Sequence, residues 1–108
     1  MQFGPWVMNI GARALDNAET GLSAGLTSME FDLLRALVEH PKAVLSRDQL
    51  LDYARGQDVF VGDRAVDVHI MRMRKKIETD TSNPMFIKTV HGIGYCFVHD
   101  VIHFSRSG

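Results

Sequence analysis

Between Asp63 and Glu78 the chain runs without a glycine or a proline, and its apolar residues recur on a helical period. Val66, Ile70, Met73 and Ile77 follow one another at steps of four, three and four residues. At about 100° per residue they form one narrow stripe. Asp63 offers a short carboxylate to the first free amides, so a helix is predicted from Arg64 to about Glu78. Burying the stripe dictates what faces away from it. Arg64, Ala65, Val68, Met71, Arg72 and Lys75 must point outward, His69 and Lys76 lie on one flank, and Asp67 and Arg74 lie on the other. The rest of the chain must therefore supply a core on one side of this helix and leave a cationic face on the other.

Two further helices precede it. Thr27-Ser28-Met29-Glu30 has the spacing at which a hydroxyl and a carboxylate each satisfy an orphan amide, and Phe31, Leu34, Leu37 and Val38 follow on one face. His40-Pro41 stops that helix. Ser46-Arg47-Asp48-Gln49 repeats the capping spacing, with Leu50, Leu51 and Ala54 to bury and Gly56 as the end. Residues 3–26 read as short strands, among them Val7–Ile10, Ala12–Leu15 and Leu22–Leu26, with turn chemistry in Asp16-Asn17-Ala18-Glu19-Thr20-Gly21. Met85–Val90, the turn His91-Gly92-Ile93-Gly94 and Tyr95–His99 read as a hairpin. The order is α+β, in one domain over residues 1–100 with a tail at 101–108 that has no evident structural role.

Several function classes fall away. The chain has 108 residues, 45% hydrophobic and 23% charged, a globular balance with no apolar run near the roughly 18 residues a membrane span needs. No basic segment precedes the apolar residues of the start, as a secretory signal would require. Cys96 is the only cysteine, so no internal disulfide forms and a cytoplasmic setting is expected. One cysteine and five scattered histidines give no metal site, and no cofactor is expected. Asp67 and His69 are too close along a helix to face each other, and no serine or cysteine nucleophile joins them, so an enzyme is not expected. His91-Gly92-Ile93-Gly94 is too short to cradle a nucleotide phosphate.

The net charge of −1 hides an asymmetry. Residues 1–63 carry 5 basic and 9 acidic side chains, a net −4, and residues 64–108 carry 7 and 4, a net +3. A local stripe of this kind, and not the global balance, sets the potential a phosphate backbone meets. A basic amphipathic face can also serve solubility alone. Two features argue against that. The positions four residues before Arg72, Arg74, Lys75 and Lys76 hold no acid. Val68 and Met71 face water that penalises them, whereas a major groove offers thymine methyls beside its phosphates and guanine edges. Behind such a helix, the glycine-rich hairpin becomes a second probe for a sugar–phosphate backbone.

The segments LTSMEFDLLRALVEHPKAVLSRDQLL, DRAVDVHIMRMRKKIE and PMFIKTVHGIGYCF resemble, in order and spacing, the effector domain of the OmpR/PhoB response-regulator family, over residues 6–98. The resemblance implies a winged helix-turn-helix: an N-terminal antiparallel four-stranded sheet, three helices and a C-terminal β-hairpin wing. It implies sequence-specific binding of double-stranded DNA, with the third helix in the major groove and the wing on adjacent backbone or minor groove. Arg64, Val68, His69, Met71, Arg72, Arg74 and Lys75 fall on helix positions expected to meet DNA, Thr89, His91 and Gly92 on wing positions, and Arg47 at the start of the second helix. The loop from Arg55 to Gly62 corresponds to a segment that touches RNA polymerase in some members, with Arg55, Asp58 and Val59 as the contacts implied. The resemblance also implies a receiver domain elsewhere in a longer protein, a monomer in isolation and a dimer on DNA. Met71, Ala65, His91 and Arg55 depart from common family residues, which implies a distinct target sequence. A winged helix that contacts a protein such as RNA polymerase without reading DNA is the rival reading.

Overall fold

The computed structural model describes residues 1–54 and 63–103, and in the third helix the side chains from Val66 onward. Three antiparallel strands open the chain: β1 (Gln2–Phe3), β2 (Trp6–Asn9) and β3 (Ala14–Asn17), in the order β1-β2-β3. Alternation along β2 sends Trp6 and Met8 inward, opposite Leu15 of β3. The third strand begins two residues later than the apolar run Ala12–Leu15 suggests. Asn9 Oδ1 accepts the Ala12 amide at 3.0 Å, and Arg13 adopts a left-handed φ of 51°, so both residues belong to the turn. An ion pair to Asp32 at 2.8 Å holds Arg13 there, its guanidinium over the Phe31 ring.

The expected four-stranded N-terminal sheet has three strands. The segment Leu22–Leu26 contributes a single bridge, Ser23 to Asp16, and no strand. Asn17 Oδ1 takes the amides of Glu19 and Thr20, and Gly21 and Gly25 both turn at positive φ. These local turns leave only one residue extended enough to pair.

The helices lie where their caps place them. α1 (Ser28–Glu39) starts at Thr27, whose hydroxyl accepts the Glu30 amide while the Glu30 carboxylate accepts the Thr27 amide. α2 (Arg47–Ala54) starts with the reciprocal pair Ser46 and Gln49, and Gly56, its expected stop, lies outside the described residues. α3 (Asp63–Ile77) buries Val66, Ile70, Met73 and Ile77, the whole predicted stripe. None of the described helices is long and apolar enough to cross a membrane.

Between α1 and α2 lies a strand that local pattern did not reveal, β4 (Val44–Ser46). It pairs with β6 (Gly94–Phe97), which also pairs with β5 (Ile87–Val90), so the wing is the outer part of a sheet ordered β4-β6-β5. The hairpin strands are shorter than expected at the ends away from the turn, starting at Ile87 and stopping at Phe97. The amides of Met85, Phe86 and Ile87 go to the buried Glu78 carboxylate and not to a long ladder. Gly94 is required by the crossing of β4: a Cβ there would sit 2.0 Å from the Leu45 carbonyl oxygen. Past Asp100 the chain has a structural role after all, since Gln2 and Ile102 exchange backbone hydrogen bonds at 2.8 Å.

Two tethers fix α3 on this frame. Trp6 Nε1 donates to the Ile77 carbonyl at 3.1 Å, closing the end of the helix from β2. Lys76 Nζ donates to the Glu30 carboxylate at 2.6 Å, tying α3 to α1. Phe3, Phe86 and Phe97 pack edge-on and stacked, with centroids 5.0 to 6.3 Å apart, and join the N-terminal sheet to the wing sheet. With its inner face committed to the core, α3 presents the opposite face outward beside the hairpin.

Candidate nucleic-acid interface

The described outward face of α3 carries Val68 at 38% exposed, Met71 at 51% exposed, and the exposed Arg72 and Lys75. No ion pair engages Arg72 or Lys75 among the described residues. A cleft of about 250 Å³ separates this face from the wing, with Met71 and Lys75 on the helix side and Tyr95 opposite. A neighbouring cleft of about 400 Å³ is lined by Arg74, Lys88, Thr89, His91 and the loop from Thr81 to Pro84. At the hairpin turn His91, Gly92 and Ile93 are exposed, and Gly92 takes the positive φ of 79° that the turn requires.

At the junction of helix and wing, the expected contacts are drawn into a network. Arg74 Nη2 donates to Thr89 Oγ1 at 2.6 Å, and its guanidinium lies 5.2 Å from the centre of the Tyr95 ring. Arg47 Nε donates to Asp67 Oδ1 at 2.8 Å, and the Tyr95 hydroxyl donates to the same carboxylate oxygen. Asp67 and Tyr95 therefore link α2, α3 and β6, and Arg74 extends the link to β5. The hydrogen bond from Tyr95 holds the Asp67 carboxyl below its usual range despite partial burial, and Arg47 adds to this. Burial, then the bond to Asp67, pushes the Tyr95 phenol up to about 12. The Arg47 guanidinium is raised by Asp67, whereas burial lowers that of Arg74. Arg74 Nε and His69 Nδ1 are shielded from solvent without a partner among the described residues.

The sequence-predicted residues thus divide by environment. Val68, Met71, Arg72 and Lys75 share one free surface, His91 and Gly92 share the turn, and Arg47, Arg74 and Thr89 sit at the junction between them. His69 is half-buried on the flank. The backbone of Arg64 lies in the first turn of α3, but its side chain is outside the described residues, as are Arg55, Asp58 and Val59. Sequence reasoning missed Tyr95 as the hub and Lys88 as a lining cation. Alternation along β5 would have marked Lys88 as outward-facing. No local pattern announces the bond between Tyr95 and Asp67, which joins residues 28 positions apart.

The family described as "Transcriptional regulatory protein, C terminal" matches residues 21–97 of the chain. Regulatory protein VirG of Agrobacterium tumefaciens (strain 15955) is 48% identical over 99 residues, which make up 92% of this chain and 37% of that protein. VirG of Rhizobium rhizogenes is 46% identical over 99 residues, 92% of this chain and 41% of that protein. The chain spans about two fifths of the length of these curated relatives. The Klebsiella pneumoniae RstA DNA-binding domain, solved in complex with the RstA box, superposes with a TM-score of 0.76 at 35% identity, covering 91% of this chain and 95% of that one. The DNA binding domain of Escherichia coli CpxR gives 0.73 at 31% identity, covering 91% and 94%.

Proposed function

The chain belongs to the transcriptional regulatory protein C-terminal family, the OmpR/PhoB-type effector domains, and from that premise we propose that it binds double-stranded DNA sequence-specifically to regulate transcription. It is the output domain of a two-component response regulator, acting by binding and not by catalysis. α3 enters the major groove, which admits a helix of this width, and the wing lies on adjacent backbone or minor groove. The observation that carries the reading is the free face of Val68, Met71, Arg72 and Lys75 beside the hairpin turn, with a cleft between them.

Arg72 hydrogen-bonds base edges and Lys75 holds a phosphate, with Arg64 at the start of the helix and His69 on its flank as further contacts. Arg47, Arg74 and Thr89 meet the backbone from the junction. Each guanidinium has five N–H donors, and the described protein partners take one. His91 and Gly92 approach the neighbouring strand. Arg55, Asp58 and Val59 contact RNA polymerase. In the cell the domain works in the cytoplasm under the control of a receiver domain in the full-length protein. It is a monomer alone and a dimer on DNA, because one domain of this size covers too little duplex for high specificity.

Fluorescence anisotropy with genomic duplex fragments at rising salt tests the reading. Affinity should fall linearly with the logarithm of salt concentration, as counterions are released from the phosphates held. A flat response, or binding to RNA polymerase without binding to duplex, would overturn it.

A further inference from the structure

The centre of the α3 outward face is not polar. Val68 and Met71 lie one turn apart, and both reach solvent, Met71 over half of its surface. Arg72 follows Met71 directly, and Lys75 lies one turn further along the same face. Arg74 is partly withdrawn from this surface by Thr89 and the Tyr95 ring. Between Val66 and Ile77, direct hydrogen bonding to base edges therefore falls chiefly to Arg72, and the surface beside it is hydrocarbon and thioether.

An exposed apolar pair flanked by free cations has few suitable partners. The apolar face of another protein's helix would leave Arg72 and Lys75 without counter-charges. A major groove supplies phosphates on both rims for the cations and, on its floor, one apolar group, the C5 methyl of thymine. Methionine suits that contact, because its unbranched, polarizable side chain adapts to the position of a small methyl.

We propose that Met71, with Val68 beside it, is a specificity-determining residue that reads thymine C5 methyl groups, so that the target half-site carries thymine next to the base pair contacted by Arg72. This rests on the DNA-binding reading above and goes further by naming the base and the atom recognised.

Replacing thymine by deoxyuridine removes the methyl and leaves the hydrogen-bonding edge intact. A duplex drawn by the wild-type chain from a random-sequence pool is substituted one thymine at a time, and the dissociation constant is measured by anisotropy. Wild type, Met71→Ala and Met71→Gln are compared, and their thermal unfolding midpoints confirm that they are folded. Burial of one methyl group corresponds to about a fourfold change in Kd. At one or two thymines, deoxyuridine should weaken wild-type binding about three- to fivefold, and should change binding by either variant less than about 1.5-fold. No responsive thymine, or an equal loss in wild type and in the folded variants, overturns the proposal while leaving DNA binding intact. Failure of the wild-type chain to retain any duplex from the pool would instead sink the DNA-binding reading itself.

Discussion

Replacing Lys76 by methionine tests how α3 is anchored. Lys76 Nζ lies 2.6 Å from the Glu30 carboxylate, which is 1% exposed, while the lysine side chain remains 32% exposed. Removing one partner of a fully buried pair costs about 3–5 kcal/mol, because the other charge is left uncompensated. Glu30 keeps the Thr27 amide at 2.8 Å, and the partial exposure of Lys76 admits water, so the expected loss at pH 7 is smaller, about 2–3 kcal/mol. For a domain of this size that is a fall of roughly 10–20 °C in Tm.

The pH dependence supplies the diagnostic. Burial raises the Glu30 pKa, but the bonds from Lys76 and Thr27 outweigh it and leave the carboxyl below its usual 4.5. A folded pKa lowered in this way contributes stability that is present above pH 4.5 and lost as pH falls through the folded value. Without Lys76 that contribution diminishes, so the deficit of the variant should shrink between pH 7 and pH 4. Trp6, the single tryptophan, donates to the end of α3 and gives a fluorescence signal for urea unfolding. The variant pairing Lys76→Met with Glu30→Gln should recover at least about 1 kcal/mol, because no charge is then buried alone. A single variant within about 0.5 kcal/mol of wild type at pH 7, or a deficit independent of pH, would refute the argument.

Gly94→Ala should cost about 3 kcal/mol or more in urea unfolding, since its Cβ meets the Leu45 carbonyl oxygen at 2.0 Å and backbone cannot rotate away; a loss under about 1 kcal/mol would contradict this packing. The Tyr95 phenol, raised to about 12, adds stability that is intact below pH 10 and disappears as pH rises towards 12. Alkaline unfolding should therefore lose that segment of its pH dependence in Tyr95→Phe. Arg72→Ala should weaken binding to a selected duplex by about 1–3 kcal/mol and relax preference at one base pair. Lys75→Ala should weaken all duplexes alike and reduce the salt slope by about one, and the reverse pattern in anisotropy would exchange the two roles.

Much of the interface is legible in the order of residues alone. The period of Val66, Ile70, Met73 and Ile77 decides which side of α3 is buried, and so which side carries Val68, Met71, Arg72 and Lys75. The caps at Thr27 and Ser46 place two helix starts, because each is closed by partners three residues away. The fate of individual polar groups is not legible in that way. The helical period places Arg74 on the flank of the face that Arg72 occupies, but nothing near it in the chain announces that Thr89, 15 residues on, takes its guanidinium.

The amino-acid order by itself therefore determined the helices, the buried face of α3 and the concentration of charge beside it, since these depend on neighbours within one or two turns. Tertiary packing decided that β4 exists and that Asp67 and Tyr95 lock helix to wing. Such outcomes depend on groups brought together from distant positions, as when Val44 pairs with Cys96 or Lys76 reaches Glu30. Their energies are decided by three-dimensional proximity and burial, which periodicity along a chain does not encode.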